Sequence, residues 1–215
     1  MSRYTDAKCR LCRRELTKLY LKGTKCYTEK CPLEKRKFPP GKSAKGRQTQ
    51  LIGYNRQLRE KQKVKRHYGM SEKQFYLTFL KANRMSGVTG ENLIQLLERR
   101  LDNVIYKAGF AESRSQARQL VRHGFFKING KNVDIPSLWV KKGDVVQLKE
   151  NKRKNEKIVE LIDRAKALAN SPQRGLPNWF NVDYEEYKIE IVDMPTIKDI
   201  SIPVEEHLIV ELYSK

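Results

Sequence analysis

The segment 93–149 constrains the fold of this chain more than any other stretch. A helix is predicted over about 91–108, and Ser113 with Gln116 forms the capping pattern that starts a second helix. The dipeptide Asn129–Gly130, which favours a type I′ turn, then joins two short strands into a hairpin. The predicted strands lie at 126–128, 131–133, 138–140 and 145–149. The segment therefore predicts a small α+β module with two helices and an antiparallel sheet.

The second helix carries Arg114, Arg118 and Arg122 at a four-residue spacing, which keeps the three side chains on one face. An apolar stripe beside them faces the predicted core. Guanidinium groups bind phosphate oxygens through paired hydrogen bonds, so we predict that these arginines contact an anionic partner. A solvated helix face, with ion pairs to Glu112 or Asp102, is the alternative.

The module offers more candidate contacts on the preceding helix, at the end of the arginine helix and around the hairpin turn. They are Arg99, Arg100, His123, Lys127 and Lys131. His123 fits a helix cap equally well, and one of the two adjacent arginines could only offset Glu98. The basic runs at 98–100 and 152–154 also fit solvated surface.

The net charge of +20 is concentrated in the first third of the chain. Residues 1–66 contain 21 basic and 5 acidic side chains, whereas residues 181–215 contain 3 basic and 9 acidic ones. Such a field attracts polyanions, and nucleic acid is the most common large one. The candidate phosphate contacts of this basic arm are Arg3, Arg10, Arg13, Arg14, Lys42, Lys45, Arg47, Arg56, Arg59, Lys63, Lys65 and Arg66. A highly charged soluble protein without such a partner is the alternative.

The composition argues against membrane insertion and export. No window of about 18 apolar residues is present, so no bilayer-spanning helix is predicted. The N-terminal residues lack the apolar core of a signal peptide, and they include acidic residues and cysteines that a transit peptide avoids. We therefore expect a cytoplasmic location and no membrane partner.

All the cysteines of the chain lie within its first 31 residues, in the spacing C-x2-C-x13-C-x4-C. Two close pairs separated by a loop are the usual ligand layout of a structural zinc site, where metal–sulfur bonds replace a missing core. We predict that Cys9, Cys12, Cys26 and Cys31 hold one structural Zn²⁺. A catalytic zinc is not expected, because four protein ligands leave no position for water. An iron–sulfur cluster, disulfides and free thiols are the alternatives.

The stretch LLERRLDNVIYKAGFAESRSQARQLVRHGFFKINGKNVDIPS resembles the RNA-binding module named after ribosomal protein S-four. The likeness extends to the four-cysteine N-terminus, to GRQTQLIGYNRQLREKQKVKRHYG, to YGMSEKQF and to the terminal ELYSK. Together these segments resemble the small-subunit ribosomal protein S-four family, of bacterial type and in its zinc-binding form. One departure is the turn His123–Gly124–Phe125–Phe126, where the family usually has HGHI. An exposed Phe125 could stack on a base instead.

The resemblance implies a function and partners. It implies a non-catalytic structural constituent of the small ribosomal subunit, which binds 16S-type rRNA directly and nucleates assembly of the subunit body. It further implies a place near the path by which mRNA enters, beside ribosomal protein S-five, and in some relatives repression of translation of their own operon. One structural Zn²⁺ is the expected cofactor, and no small-molecule substrate is expected.

The resemblance also implies a domain organisation of the α+β class. We expect a zinc-binding knuckle with a basic linker at 1–45, and a mainly helical, discontinuous domain made of 46–90 and 171–215. The RNA-binding module, two helices with a small antiparallel sheet, is expected at 91–170 together with the helix that follows it. That helix and the tail are expected to pack back against residues 50–90.

Two other function classes fit an RNA-binding module. An RNA-modifying enzyme would need a further catalytic domain of roughly 100–200 residues with an acidic site, and the residues outside the module form no such cluster. A zinc-dependent regulator of mRNA is the second alternative, and it overlaps with repression of translation.

Overall fold

A computed structural model describes residues 4–41, 52–171 and 174–214 of the chain. It divides into two compact units, one formed by 1–94 with 202–215 and the other by 95–201. Among the described residues, no helix is both long and apolar enough to cross a membrane.

Short helices and strands follow one another along the described residues. The helices are α1 (Cys9–Glu15), α2 (Pro32–Lys35), α3 (Tyr54–His67), α4 (Glu72–Asn83), α5 (Thr89–Glu98), α6 (Leu101–Lys107), α7 (Arg114–Arg122), α8 (Glu150–Arg153), α9 (Glu156–Ala169) and α10 (Glu206–Tyr213). The strands are β1 (Phe126–Ile128), β2 (Lys131–Val133), β3 (Val145–Leu148), β4 (Phe180–Asp183) and β5 (Lys188–Ile191). Mixed helices and an antiparallel sheet confirm the α+β class.

The first unit is helical, and a serine caps the start of its helix α4. Ser71 accepts a hydrogen bond from the backbone N–H of Gln74 at the start of α4, as the capping pattern requires. Gly69 adopts a positive φ of 62°, a conformation that glycine tolerates, and separates α3 from α4. The sequence predicts a helix from near Gln50, with Leu51, Tyr54 and Leu58 at helical spacing, and this predicted start lies outside the described residues.

The C-terminal helix α10 packs back onto the first unit. The Tyr213 ring lies 4.7 Å from the ring of Phe79 and 6.4 Å from that of Phe75, between centroids. The Glu72 carboxylate accepts hydrogen bonds from Tyr213 (2.9 Å), Lys61 (2.5 Å) and Lys65 (2.7 Å). This confirms the expected return of the tail to the helices before the module.

We expect the docking of α10 to weaken in acid. Burial by itself raises the pKa of Glu72, but the hydrogen bonds from Lys61, Lys65 and Tyr213 lower it to about 2. A lowered folded-state pKa contributes stability above the unfolded value of 4.5, and this contribution is lost as the pH falls through about 2. We therefore expect the urea midpoint, measured by circular dichroism between these two pH values, to depend less on pH in Glu72→Gln than in the wild type. The exposed Glu29→Gln should behave as the wild type, and an unchanged dependence in Glu72→Gln would contradict the assignment.

The second unit is built on an antiparallel sheet of order β2-β1-β3-β5-β4. Asn129 and Gly130 both have positive φ, of 48° and 79°, which is the geometry of the predicted type I′ turn between β1 and β2. The core joins apolar residues of α6 and α7 to the inner face of the sheet and to Ile162 of α9. This sheet and these two helices form the predicted module.

The predicted helix over 91–108 is wrong in one respect, because it is broken between α5 and α6. Arg100 is extended, with φ −63° and ψ 135°, and pairs with Trp139 as an isolated antiparallel bridge. The Leu101 N–H donates to Leu138 O (2.8 Å), and the Val140 N–H donates to Arg99 O (3.0 Å). The predicted strand at 138–140 is therefore reduced to this single bridge.

Two further expectations differ from the structure at the C-terminal end of the module. Residues 171–201 lie in the same unit as the sheet, because β5 pairs with β3 and β4 pairs with β5. Helix α9, expected to pack against residues 50–90, instead buries Ile162 in the core of the second unit. The observed division thus differs from the predicted boundary at 170, since strand pairing holds the following segment.

Candidate nucleic-acid interface

The first arginine of α7 is part of the core and not of a free surface, contrary to the prediction. Arg114 is 6% exposed, and its Nε donates to Asn103 Oδ1 at 2.8 Å. Its guanidinium carbon lies 4.4 Å from the centroid of the Tyr106 ring. Arg114 therefore holds α6 against α7, and its buried guanidinium is not positioned to contact phosphate.

The second arginine of α7 takes the predicted alternative. Arg118 donates to Asp102 Oδ2 from Nε (3.2 Å) and from Nη2 (3.0 Å). The same carboxylate, 2% exposed, also accepts two hydrogen bonds from Arg100, at 3.1 and 2.8 Å. One buried carboxylate therefore organises two guanidinium groups, and Arg118 remains half-buried beside it.

Both arginines before α6 have partners within the module: the Asp102 carboxylate accepts from Arg100, and a backbone carbonyl accepts from Arg99. Arg100 is buried, as just described, so its prediction as an RNA contact is wrong. Arg99 donates from Nε to Val140 O at 2.8 Å, and burial lowers its pKa below the ordinary value. Glu98 is offset by Lys107 and not by either arginine, because Lys107 Nζ lies 2.7 Å from Glu98 Oε2.

The remaining candidates of the module lie near the surface. Arg122 and His123 are exposed at the C-terminal end of α7, and Lys131 is exposed on β2. Lys127 is half-buried in β1. The turn residue Asn129 has a structural role, since its side chain accepts from the Val145 N–H and donates to Asp144.

Phe125 does not present a free ring to a base. It is half-buried against the core of the second unit, and Lys152 Nζ lies 4.9 Å from the ring centroid. The expected stacking face is therefore shared with an ammonium group.

The basic side chains predicted on α3 are paired with carboxylates. Arg56 pairs with Glu205 at 2.5 Å, and Lys63 pairs with Glu60 at 2.8 Å. Lys65 pairs with Glu72, as described for α10. These contacts neutralise much of the positive field that the sequence places on the helix.

Arg59 and Arg66 share one carboxylate. Both donate to Glu15 Oε1, the Arg59 bond measuring 3.2 Å. The Glu15 side chain is 2% exposed, and burial raises its pKa against the opposing effect of Arg59, Arg66 and Arg14. A single negative charge among three guanidinium groups leaves this cluster net positive. The sequence analysis did not predict this role of Glu15. The only signal for it in the sequence is that Glu15 is a single acidic residue among basic ones.

The basic residues near the cysteines have different environments. Arg10 and Arg14 are exposed. Arg13 donates from Nε to Phe38 O at 3.0 Å, and its guanidinium lies 4.9 Å from the Phe38 ring centroid. Arg13 therefore holds α1 against the stretch that follows α2. Arg3, Lys42, Lys45 and Arg47, predicted as phosphate contacts, lie outside the described residues.

The thiols lie within one small segment. Cys12, Cys26 and Cys31 are buried and Cys9 is half-buried. The pKa of the Cys12 thiol is raised to about 11, mainly by burial and to a smaller extent by the neighbouring thiols, while a backbone hydrogen bond opposes the rise. The Lys22 N–H donates to Cys26 Sγ at 3.3 Å. In the part of the chain that the structure describes, no three His, Cys, Asp or Glu side chains are arranged to hold a metal.

Four thiols, three of them buried, suit a metal that prefers soft sulfur ligands, although the four sulfur atoms are not arranged around one point. The thiols are free of disulfides. A backbone N–H already points at one sulfur, and such donors stabilise thiolates.

Comparison with known proteins covers the whole chain. The family model for the ribosomal protein S4/S9 N-terminal domain matches residues 3–98, and the model for the S4 domain matches residues 99–146. The small ribosomal subunit protein uS4 of Thermodesulfovibrio yellowstonii is 55% identical over 215 residues, which is 100% of both chains. The proteins of the same name from Pelobacter propionicus and Citrifermentans bemidjiense are 53% and 54% identical, again over 100% of both chains.

Proposed function

Because the chain belongs to the small ribosomal subunit protein uS4 family, we propose that it is a structural component of the small ribosomal subunit that binds rRNA. The observation that carries this proposal is identity above one half along the entire length of a relative. The exposed cations at the end of α7 support it, since phosphate contacts supply most of the affinity of such proteins.

The finer parts of the proposal come from the family resemblance. They are direct binding to 16S-type rRNA, nucleation of the subunit body, and a place beside ribosomal protein S-five near the path of mRNA. Repression of its own operon and a cytoplasmic location on the ribosome belong to the same proposal. No enzymatic activity is included, and base modification catalysed by the purified protein would contradict it.

Crosslinking followed by sequencing from cells tests the proposal. Reads concentrated at one junction of small-subunit rRNA are expected. Reads spread over tRNA, or over many mRNAs, would favour an accessory module of an enzyme or a regulator of mRNA instead.

Arg122→Gln is expected to weaken binding of the purified protein to 16S-type rRNA about three- to ten-fold. Arg122 is exposed and forms no ion pair with a carboxylate among the described residues, so its charge is available to phosphate. The slope of log affinity against log salt should fall by about one. The control is Arg164→Gln, because Arg164 is exposed in the same unit but pairs with Glu112 at 3.7 Å. Equal losses in both variants would contradict this role of Arg122.

We also propose that Cys9, Cys12, Cys26 and Cys31 bind one structural Zn²⁺. The spacing, the burial of three thiols and the absence of disulfides among them support this. Zinc bound there would tie α1 to the loop and helix that follow. It would supply no catalysis.

A further inference from the structure

Two lysines that are distant in sequence from α7 converge on the turn between α7 and β1. Lys149 Nζ lies 3.6 Å from the position of a Cβ built on Gly124. Lys152 Nζ lies 4.9 Å from the centroid of the Phe125 ring. The Lys149 N–H donates to Phe125 O at 2.9 Å, so the backbone holds the two segments side by side. The fold of the second unit therefore places both lysines beside this turn.

These amines are not needed to cap α7. The exposed carbonyls at its end are satisfied by the turn itself, since the Gly124 N–H donates to Val121 O (2.8 Å) and the Phe125 N–H donates to Leu120 O (3.2 Å). This is the usual way in which a left-handed residue closes a helix, and Gly124 has a φ of 65°. Closure of the helix thus requires neither lysine ammonium.

The two lysines also differ from the arginine next to them. Arg153 points to Tyr187, with its guanidinium 5.7 Å from the ring, and lies 3.8 Å from the Glu186 carboxylate. Neither Lys149 nor Lys152 forms an ion pair with any carboxylate in the described ranges 4–41, 52–171 and 174–214. Their positive charge is therefore not neutralised within this part of the protein.

Two more basic side chains adjoin the same turn. Arg122 and His123 are exposed and directly precede Gly124. The turn thus carries cations from two segments of the chain, one before β1 and one after β3. Like charges brought together at a surface are unfavourable unless an anion joins them.

We propose that Lys149 and Lys152, together with Arg122, form a binding site for phosphodiester groups of the RNA backbone. Lysine acts as a point charge toward phosphate, so the site positions the RNA and does not read its bases. The Phe125 ring holds the Lys152 ammonium in place through a cation–π contact. This proposal rests on the proposed function, because it names where part of that RNA would be held.

The test compares two double variants that remove the same charge. Lys149→Gln with Lys152→Gln removes the site, whereas Lys141→Gln with Lys157→Gln removes two exposed lysines of the same unit. Lys141 precedes β3 at the end of the sheet that carries the Asn129–Gly130 turn, which is the opposite end from Lys149. We expect the first pair to bind a 16S-type rRNA transcript about ten-fold more weakly, with a salt slope lower by about one to two. The control pair should stay within about two-fold of the wild type.

The outcomes separate this site from the proposed function. Equal losses in both double variants would overturn the site while leaving rRNA binding intact. A wild-type protein that does not prefer small-subunit rRNA over tRNA would overturn the proposed function and the site with it. Lys149→Arg with Lys152→Arg keeps both charges and should bind as the wild type. A loss in that variant at an unchanged melting temperature would also overturn the site.

Discussion

Glu98→Ala is expected to lower the free energy of unfolding by about 3–5 kcal/mol, because it leaves a buried ammonium group without its counter-charge. Glu98 is fully buried, and its Oε2 lies 2.7 Å from Lys107 Nζ. The same oxygen accepts from Asn103 Nδ2 at 2.8 Å, and Asn103 in turn accepts from Arg114. Removal of one carboxylate therefore disturbs a chain of buried polar groups. Urea unfolding followed by circular dichroism measures the loss.

Two further variants show whether the loss comes from the unpaired charge. Glu98→Leu combined with Lys107→Met removes both charges and should recover about half of the loss. Lys142→Ala breaks an exposed pair of the same unit, in which both side chains are more than 60% exposed, and should leave unfolding nearly unchanged. A Glu98→Ala protein as stable as the Lys142→Ala protein would refute the role given to this buried pair.

Local sequence signals predict the elements of the fold well. Ser113 caps the helix that it was expected to start, because a hydroxyl group must satisfy the first backbone N–H groups. Asn129–Gly130 forms the expected turn for an equally local reason, since both residues tolerate positive φ. Features that depend on a few neighbouring residues can therefore be read from the chain alone.

Features that depend on distant partners could not be predicted in the same way. The break between α5 and α6 arises because Arg99–Leu101 pair with a loop almost forty residues later. Strand β4 was not predicted, since its place in the sheet depends on pairing with β5. Helical periodicity is continuous through the break, so no local signal marks it.

The candidate interface shows the same distinction. A four-residue spacing correctly places Arg114, Arg118 and Arg122 on one helix, but it does not tell which of them meets a buried carboxylate or amide. Asn103 and Asp102 decide this, and they lie on a different helix. On α3, likewise, carboxylates from three other segments neutralise cations of a stretch in which the sequence shows a single acid, Glu60. Positive charge in a sequence is thus an upper bound on the charge available to RNA.

Cys12→Ser is expected to abolish metal binding, with zinc falling from one ion per chain to less than about a tenth. Binding of zinc by four thiolates is worth about 10–16 kcal/mol in small structural sites, so the segment that carries the thiols should lose its fold with the metal. Helices α1 and α2 are short, of 7 and 4 residues, and are too short to be stable by themselves. Elemental analysis of the purified protein measures the metal, and trypsin cleavage among residues 4–41 measures the fold.

The matched control is Thr24→Ser, a conservative change at an exposed position two residues before Cys26. It should retain the metal and the resistance to trypsin, because it removes no thiol. If the wild-type protein contains iron and absorbs visible light, the site holds an iron–sulfur cluster and not zinc. If the wild-type protein contains no metal and still resists trypsin, the proposal of a structural metal is contradicted. The second unit serves as an internal reference. Its unfolding should be the same in Cys12→Ser as in the wild type, because its core is built from residues of 95–201.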